Sequence, residues 1–123
     1  MMQGHVNENY EAIISVAVKN GSSLKSFDAV IDTGFTGFLS LPTAVITKLG
    51  LQWSYHDRAT LGDGSETVFD VYNAEIVWNE QLREIEIDAA ETETEPLLGM
   101  ALLRGYRLQV DTIEGGLVTI ERL

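Results

Sequence analysis

Apolar positions in this chain come in short runs rich in Val, Ile, Leu and aromatics, broken by turn residues. That is the pattern of strands in an all-β domain. Residues 10–19 read as a strand closed by Asn20-Gly21-Ser22, and 24–31 as its returning partner. A special turn follows at 32–37, then a short strand at 38–41. Residues 42–49 read as a short helix. Pro42 suits a first helical position, Ala44, Val45, Ile46 and Leu49 supply an apolar face, and Gly50 can close it. Residues 51–61 and 65–78 read as two strands joined across Gly62-Asp63-Gly64, and Asn79-Glu80 as a tight turn into a strand at 82–89. A polar, acidic stretch at 91–95 is expected to be a mobile loop. The run Leu97-Leu98-Gly99-Met100-Ala101-Leu102-Leu103 is expected to end in a helical turn, and 107–110 and 117–122 to form a last hairpin across Glu114-Gly115-Gly116.

With 123 residues the chain suits one domain, assigned to 10–123, with a flexible N-terminal segment at 1–9. Apolar residues make up 45% of it, enough for a packed core. The formal charge of −11, from 19 acidic and 8 basic residues, speaks against nucleic acid and against an anionic membrane surface, since both need clustered Lys and Arg. There is no cysteine, so disulfides and thiol chemistry are excluded and nothing suggests an oxidising compartment. The opening residues lack the basic start and apolar run of a secretory signal, and no apolar stretch reaches bilayer-spanning length. A cytoplasmic location is expected. His5 and His56 are single and expected at the surface. Without spaced Cys or carboxylate partners they make no metal site. Trp53 and Trp78 are expected to serve packing.

The chemically informative segment is Ala29-Val30-Ile31-Asp32-Thr33-Gly34-Phe35-Thr36-Gly37. A carboxylate stands at the end of a strongly apolar strand, followed by a small hydroxyl residue and glycine. Apolar surroundings disfavour the charged form of a carboxyl, which marks Asp32 as a candidate for chemistry. Gly34 permits backbone shapes or close approaches that a Cβ would block, and Thr33 offers a hydroxyl to tie the turn to something nearby. The triplet alone also fits an ordinary β-turn, as Gly62-Asp63-Gly64 fits an ordinary hairpin and Leu97-Leu98-Gly99 a core segment entering a helix.

Taken together, these features resemble the aspartic peptidases, the group containing pepsin and the retroviral proteases. Asp32-Thr33-Gly34 after two apolar residues resembles their active-site turn. Leu97-Leu98-Gly99-Met100 resembles their late signature of two apolar residues and a glycine before a short helix, and the Gly62-Asp63-Gly64 hairpin resembles their flap. The run from Asp32 through Pro42 looks especially like the small bacterial and archaeal relatives of retropepsins. The resemblance covers residues 10–123 and implies an all-β, closed acid-protease barrel with one or two short helices. It implies an aspartic endopeptidase that needs neither metal nor cofactor and acts on a peptide or protein substrate.

Asp111-Thr112-Ile113 lacks the glycine and is a poor second motif. The site is therefore expected to be completed by symmetry in a homodimer, with Asp32 from each subunit meeting at a two-fold axis. Asp32, Thr33 and Gly34 are the implied catalytic turn, with Thr33 hydrogen-bonding across the axis. Phe35, Thr36, Leu98 and the flap residues Gly62, Asp63 and Gly64 are the implied substrate-contacting set. Two departures stand out. Phe35 occupies a position where pepsin-like enzymes carry Ser or Thr and retroviral ones Ala, which predicts activity nearer neutral pH. Thr36 lacks the carboxylate through which retroviral enzymes bind substrate. A non-proteolytic peptide-binding or assembly domain of the same fold is the alternative function. An unrelated β-sandwich would be eliminated by finding Asp32 beside Leu97-Leu98-Gly99.

Overall fold

A computed structural model describes residues 1–90 and 94–123. The described elements run β1 (Met2–Val6), β2 (Ala12–Asn20), β3 (Ser23–Ile31), β4 (Leu39–Pro42), α1 (Thr43–Leu49), β5 (Gln52–Thr60), β6 (Glu66–Trp78), β7 (Gln81–Ala90), β8 (Leu97–Leu98), α2 (Met100–Leu103), β9 (Tyr106–Val110) and β10 (Leu117–Arg122). The strands form one sheet in the order β5-β6-β7-β4-β8-β3-β2-β1-β10-β9, and a further pairing of β6 with β2 closes it on itself. The ring from β2 through β8 to β6 is thus a closed barrel, the architecture the resemblance implies.

Alternation explains which residues fill it. In β2, Ile14, Val16 and Val18 are buried while Ser15 and Lys19 face out. In β7, Ile85 and Ile87 point inward and Leu82, of opposite parity, is exposed. Leu39, Leu41, Ile46, Ile76, Leu98 and Ile120 complete a single continuous core. The turn between β6 and β7 places Asn79 and Glu80 at φ 50° and 68°, with Trp78 paired to Gln81. Both central residues at positive φ give the hairpin a twist that matches its strands.

α1 starts one residue later than expected. Pro42 is still in β4 and serves as N-cap, and Gly50, at φ 63°, closes the helix by donating to the carbonyls of Ile46 and Thr47. Residues 1–9 differ more. The expected flexible segment contains β1, hydrogen-bonded to β10 on one side and β2 on the other. Its signal was the buried Val6 in phase with Met2 and Gly4, whose missing side chain weakens the apolar pattern. A Cβ at Gly4 would strike the carbonyl oxygen of Ile13, so glycine is what lets β1 lie this close to β2. The expected acidic loop at 91–95 falls largely outside the described residues. No described helix is long and apolar enough to cross a membrane.

Candidate active site

Asp32 follows the last residue of β3, where the chain leaves the barrel. β8 lies between β3 and β4, parallel to the first (Val30 opposite Leu97, Ile31 opposite Leu98) and antiparallel to the second (Leu39 opposite Leu98). The Asp32 N–H donates to the Leu98 carbonyl at 2.9 Å. Within the turn, Asp32 Oδ1 accepts the Gly34 N–H at 2.9 Å, and the Asp32 carbonyl accepts the Phe35 N–H at 3.1 Å. These bonds set both the backbone of the turn and the orientation of its carboxyl.

The other end of the turn is held by α2. The first N–H groups of a helix have no partner within it. Here Met100 N–H donates to Phe35 O at 2.8 Å, Ala101 N–H to Gly37 O at 3.1 Å, and Gly99 N–H to Phe38 O at 3.0 Å. Gly99 is required by space, since its φ of −106° suits any residue. A Cβ there would strike the Gly37 carbonyl oxygen and come within 2.7 Å of the Phe35 ring and carbonyl. The Asp-Thr-Gly and Leu-Leu-Gly segments are therefore two halves of one unit, and the unrelated-sandwich reading is eliminated.

Two hollows border the turn. One, of about 470 Å³, is lined by Asp32 and Thr33 together with Val6, Tyr10, Val110 and Thr112. Thr33 is exposed and makes no side-chain hydrogen bond among the described residues. The other is a cleft of about 750 Å³ between the turn and the β5–β6 hairpin, bordered by Gly34, Phe35 and Thr36 on one side and Tyr55, Asp57 and Val68 on the other. The half-buried Phe35 ring lies against Gly37, where a Cβ would stand 2.6 Å from Phe35 Cζ.

Leu98 requires correction as a substrate contact. It is fully buried, its side chain belongs to the core, and what it gives the turn is its carbonyl. The residues Gly62, Asp63 and Gly64 sit at the hairpin tip beyond the cleft walls, which are formed by the strands below them. At that tip Gly64 has φ 85°. Asp63 Oδ1 accepts the hydroxyl of Ser65 at 2.6 Å and its N–H at 2.9 Å. The Ser65 hydroxyl, then its N–H, hold the Asp63 carboxyl below its ordinary value.

The cleft also contains carboxylates that sequence reasoning missed. Glu86 and Asp88, on outward positions of β7, face it together with Asp57. Desolvation, then the charges of Asp57 and Glu86, push Asp88 up to about 6. Tyr55, hydrogen-bonded to Glu86, desolvated and facing these charges, is pushed up to about 12 and remains a neutral hydroxyl. The available signal was the alternation Glu84-Ile85-Glu86-Ile87-Asp88, which places acids on one strand face. Elsewhere, His5 is exposed, and His56 Nδ1 lies 2.7 Å from Asp70 Oδ1, which also accepts Trp53 Nε1–H at 3.0 Å. Trp78 is buried against Tyr106, whereas Trp53 is half exposed. Among the described residues no group of three or more His, Cys, Asp or Glu could hold a metal ion.

A retropepsin-like aspartic protease from Rickettsia conorii aligns with the chain at a TM-score of 0.70 and 20% identity, over 98% of this chain and 90% of its own. The protease of EIAV, complexed with the inhibitor HBY-793, aligns at a TM-score of 0.56 and 18% identity, over 76% and 86%. The fold is retropepsin-like, an all-β aspartic-protease barrel. No family model matches the sequence, and no curated protein does.

Proposed function

We propose that the protein is a homodimeric aspartic endopeptidase in which Asp32 of each subunit holds one catalytic water. The supporting observation is the turn itself. An aspartate with its carboxyl oriented by Gly34 N–H is fixed by the Leu98-Gly99 segment and flanked by a cleft of about 750 Å³ that begins at Gly34. Two carboxyls brought a few Å apart cannot both ionise, so they share one proton. The ionised member takes a proton from the water as it attacks the scissile carbonyl, while the protonated member donates to the carbonyl oxygen. In this reading Thr33, whose hydroxyl makes no bond among the described residues, bonds across the axis, Gly34 lets substrate backbone approach, and the β5–β6 hairpin closes over it.

The test is cleavage of a denatured protein by wild type and Asp32→Asn. Wild type should give pepstatin-sensitive fragments, and the variant should lose activity by at least about a thousandfold while keeping its fold and dimer, as expected when a chemical group is removed. A stable wild-type monomer without pepstatin-sensitive cleavage would favour the peptide-binding or assembly alternative.

Because Phe35 offers no hydroxyl to the ionised dyad, the pH–rate profile should peak nearer neutrality than in pepsin-like enzymes. A maximum below about pH 3, under the ordinary carboxyl range, would contradict this.

A further inference from the structure

We propose that the second subunit docks on the face ringed by the 7–11 and 111–117 loops, with Tyr10 and Ile113 as its apolar anchors. The terminal strands would then contribute no shared sheet. This deepens the dimeric reading above and rests on it. Asp32 and Thr33 line the smaller hollow, and a site completed by symmetry must bury that face against a copy of itself.

Tyr10 lines this hollow, and the loop that contributes Thr112 to it carries two further exposed apolar side chains, Ile113 and Leu117. Tyr10 is 71% exposed, Ile113 66% and Leu117 49%. The second loop is tied to the end of β1, which leads into the first, since Gly115 N–H donates to Val6 O and Val6 N–H to Gly116 O, while Asp111 N–H donates to Leu117 O and closes the second loop on itself. Tyr10 is held outward against its own backbone preference. It sits at φ 59°, a conformation unfavourable for a side chain of this size. Asn7 enforces the loop, its Oδ1 accepting the N–H of Asn9 and of Glu11 and its carbonyl the N–H of Tyr10. A strained backbone that presents an aromatic ring to water beside Asp32 is accounted for by a partner that covers it.

The terminal strands are already satisfied. β1 is paired to β10 over Met2–His5 and to β2 at His5 and Val6, and β10 is paired to β1 on one edge and to β9 on the other. Interleaving them with a partner's strands, as in retroviral relatives, would first break these ladders.

The experiment is sedimentation velocity across concentrations, with activity measured on the same samples. It uses the full chain as wild type, Tyr10→Gly, Tyr10→Asp with Ile113→Asp, and a control, Leu82→Asp, at an exposed position on the β7 strand. Glycine relieves the strained φ while deleting the ring, so Tyr10→Gly should keep or raise the melting temperature and still weaken the dimer by at least about tenfold, as for an anchor residue. The double variant should weaken it further, with activity returning as concentration rises, and the control should match wild type. Unchanged dimerisation in both rim variants would overturn the proposed face while leaving the dimeric enzyme intact. Wild type that stays monomeric and inactive at every concentration would overturn the dimeric reading itself, and this inference with it.

Discussion

Gly99 carries a steric demand out of proportion to its size. Its missing Cβ is the space in which the Asp32 turn and the start of α2 meet, so Gly99→Ala must push apart the Phe35 ring and the Gly37 carbonyl. A loss of about 1–3 kcal/mol is expected in urea unfolding, in line with overpacked cores. Cleavage should fall together with stability. Gly62→Ala, where an added Cβ meets nothing within 4 Å, should stay within about 0.5 kcal/mol of wild type.

Asp88 gives a pH signature. Its folded value, raised from 3.8 to about 6, means the folded chain holds that proton more tightly than the unfolded one. The contribution is fully present below the unfolded value and is lost as pH rises through the folded one. Asp88→Asn should therefore raise the melting temperature at pH 7 and change it much less at pH 4. Equal shifts at both would show that the carboxyl is not destabilised by its surroundings.

At the scale of elements, the outer part of the β5–β6 hairpin extends beyond the barrel, since β6 meets β7 only from Val71 onward and β2 only at Ile76 and Val77. β5 is almost wholly exposed and is an edge of the sheet. Its tip needs glycine at 64 for φ alone, with no neighbour within 4 Å. Gly64→Ala should cost about 1 kcal/mol of local order and act on KM and kcat for a peptide substrate more than on the melting temperature. Equal loss in global unfolding would instead make the tip part of the cooperative core.

Elements with local signals were legible in the sequence: the β2–β3 and β6–β7 hairpins, α1 with its Gly50 stop, and the Asp32 turn. Those defined by distant partners were not. β1 has only five residues with a glycine in the middle, and its place depends on β10. The burial of Leu98 follows from β8 lying between two strands from the first third of the chain. The acidic wall of the cleft needs the β5–β6 hairpin folded over β7 to bring Asp57 to Glu86 and Asp88, which alternation within one strand does not reveal.

For the whole molecule, charge sets the terms of association. In the proposed dimer each copy would carry a formal −11, so two copies would repel over a distance set by the ionic strength. Raising salt from about 10 mM to about 150 mM shortens that reach from about 30 Å to about 8 Å. If the proposed dimer forms, its dissociation constant should therefore fall with added salt, and cleavage at limiting concentration should rise. A constant that climbs with salt would point to ion pairs across the interface.

The order in which the chain is made adds a last consequence. On a ribosome, Asp32 emerges long before Leu98, Met100 and Ala101, whose backbone groups fix the turn. A nascent chain thus carries its acid on an unanchored loop until the Leu98–Ala101 segment has been made. The turn should therefore become rigid only once the Leu98–Ala101 segment has docked, which pulse-labelled hydrogen exchange at the Gly34 and Phe35 amides during refolding would show.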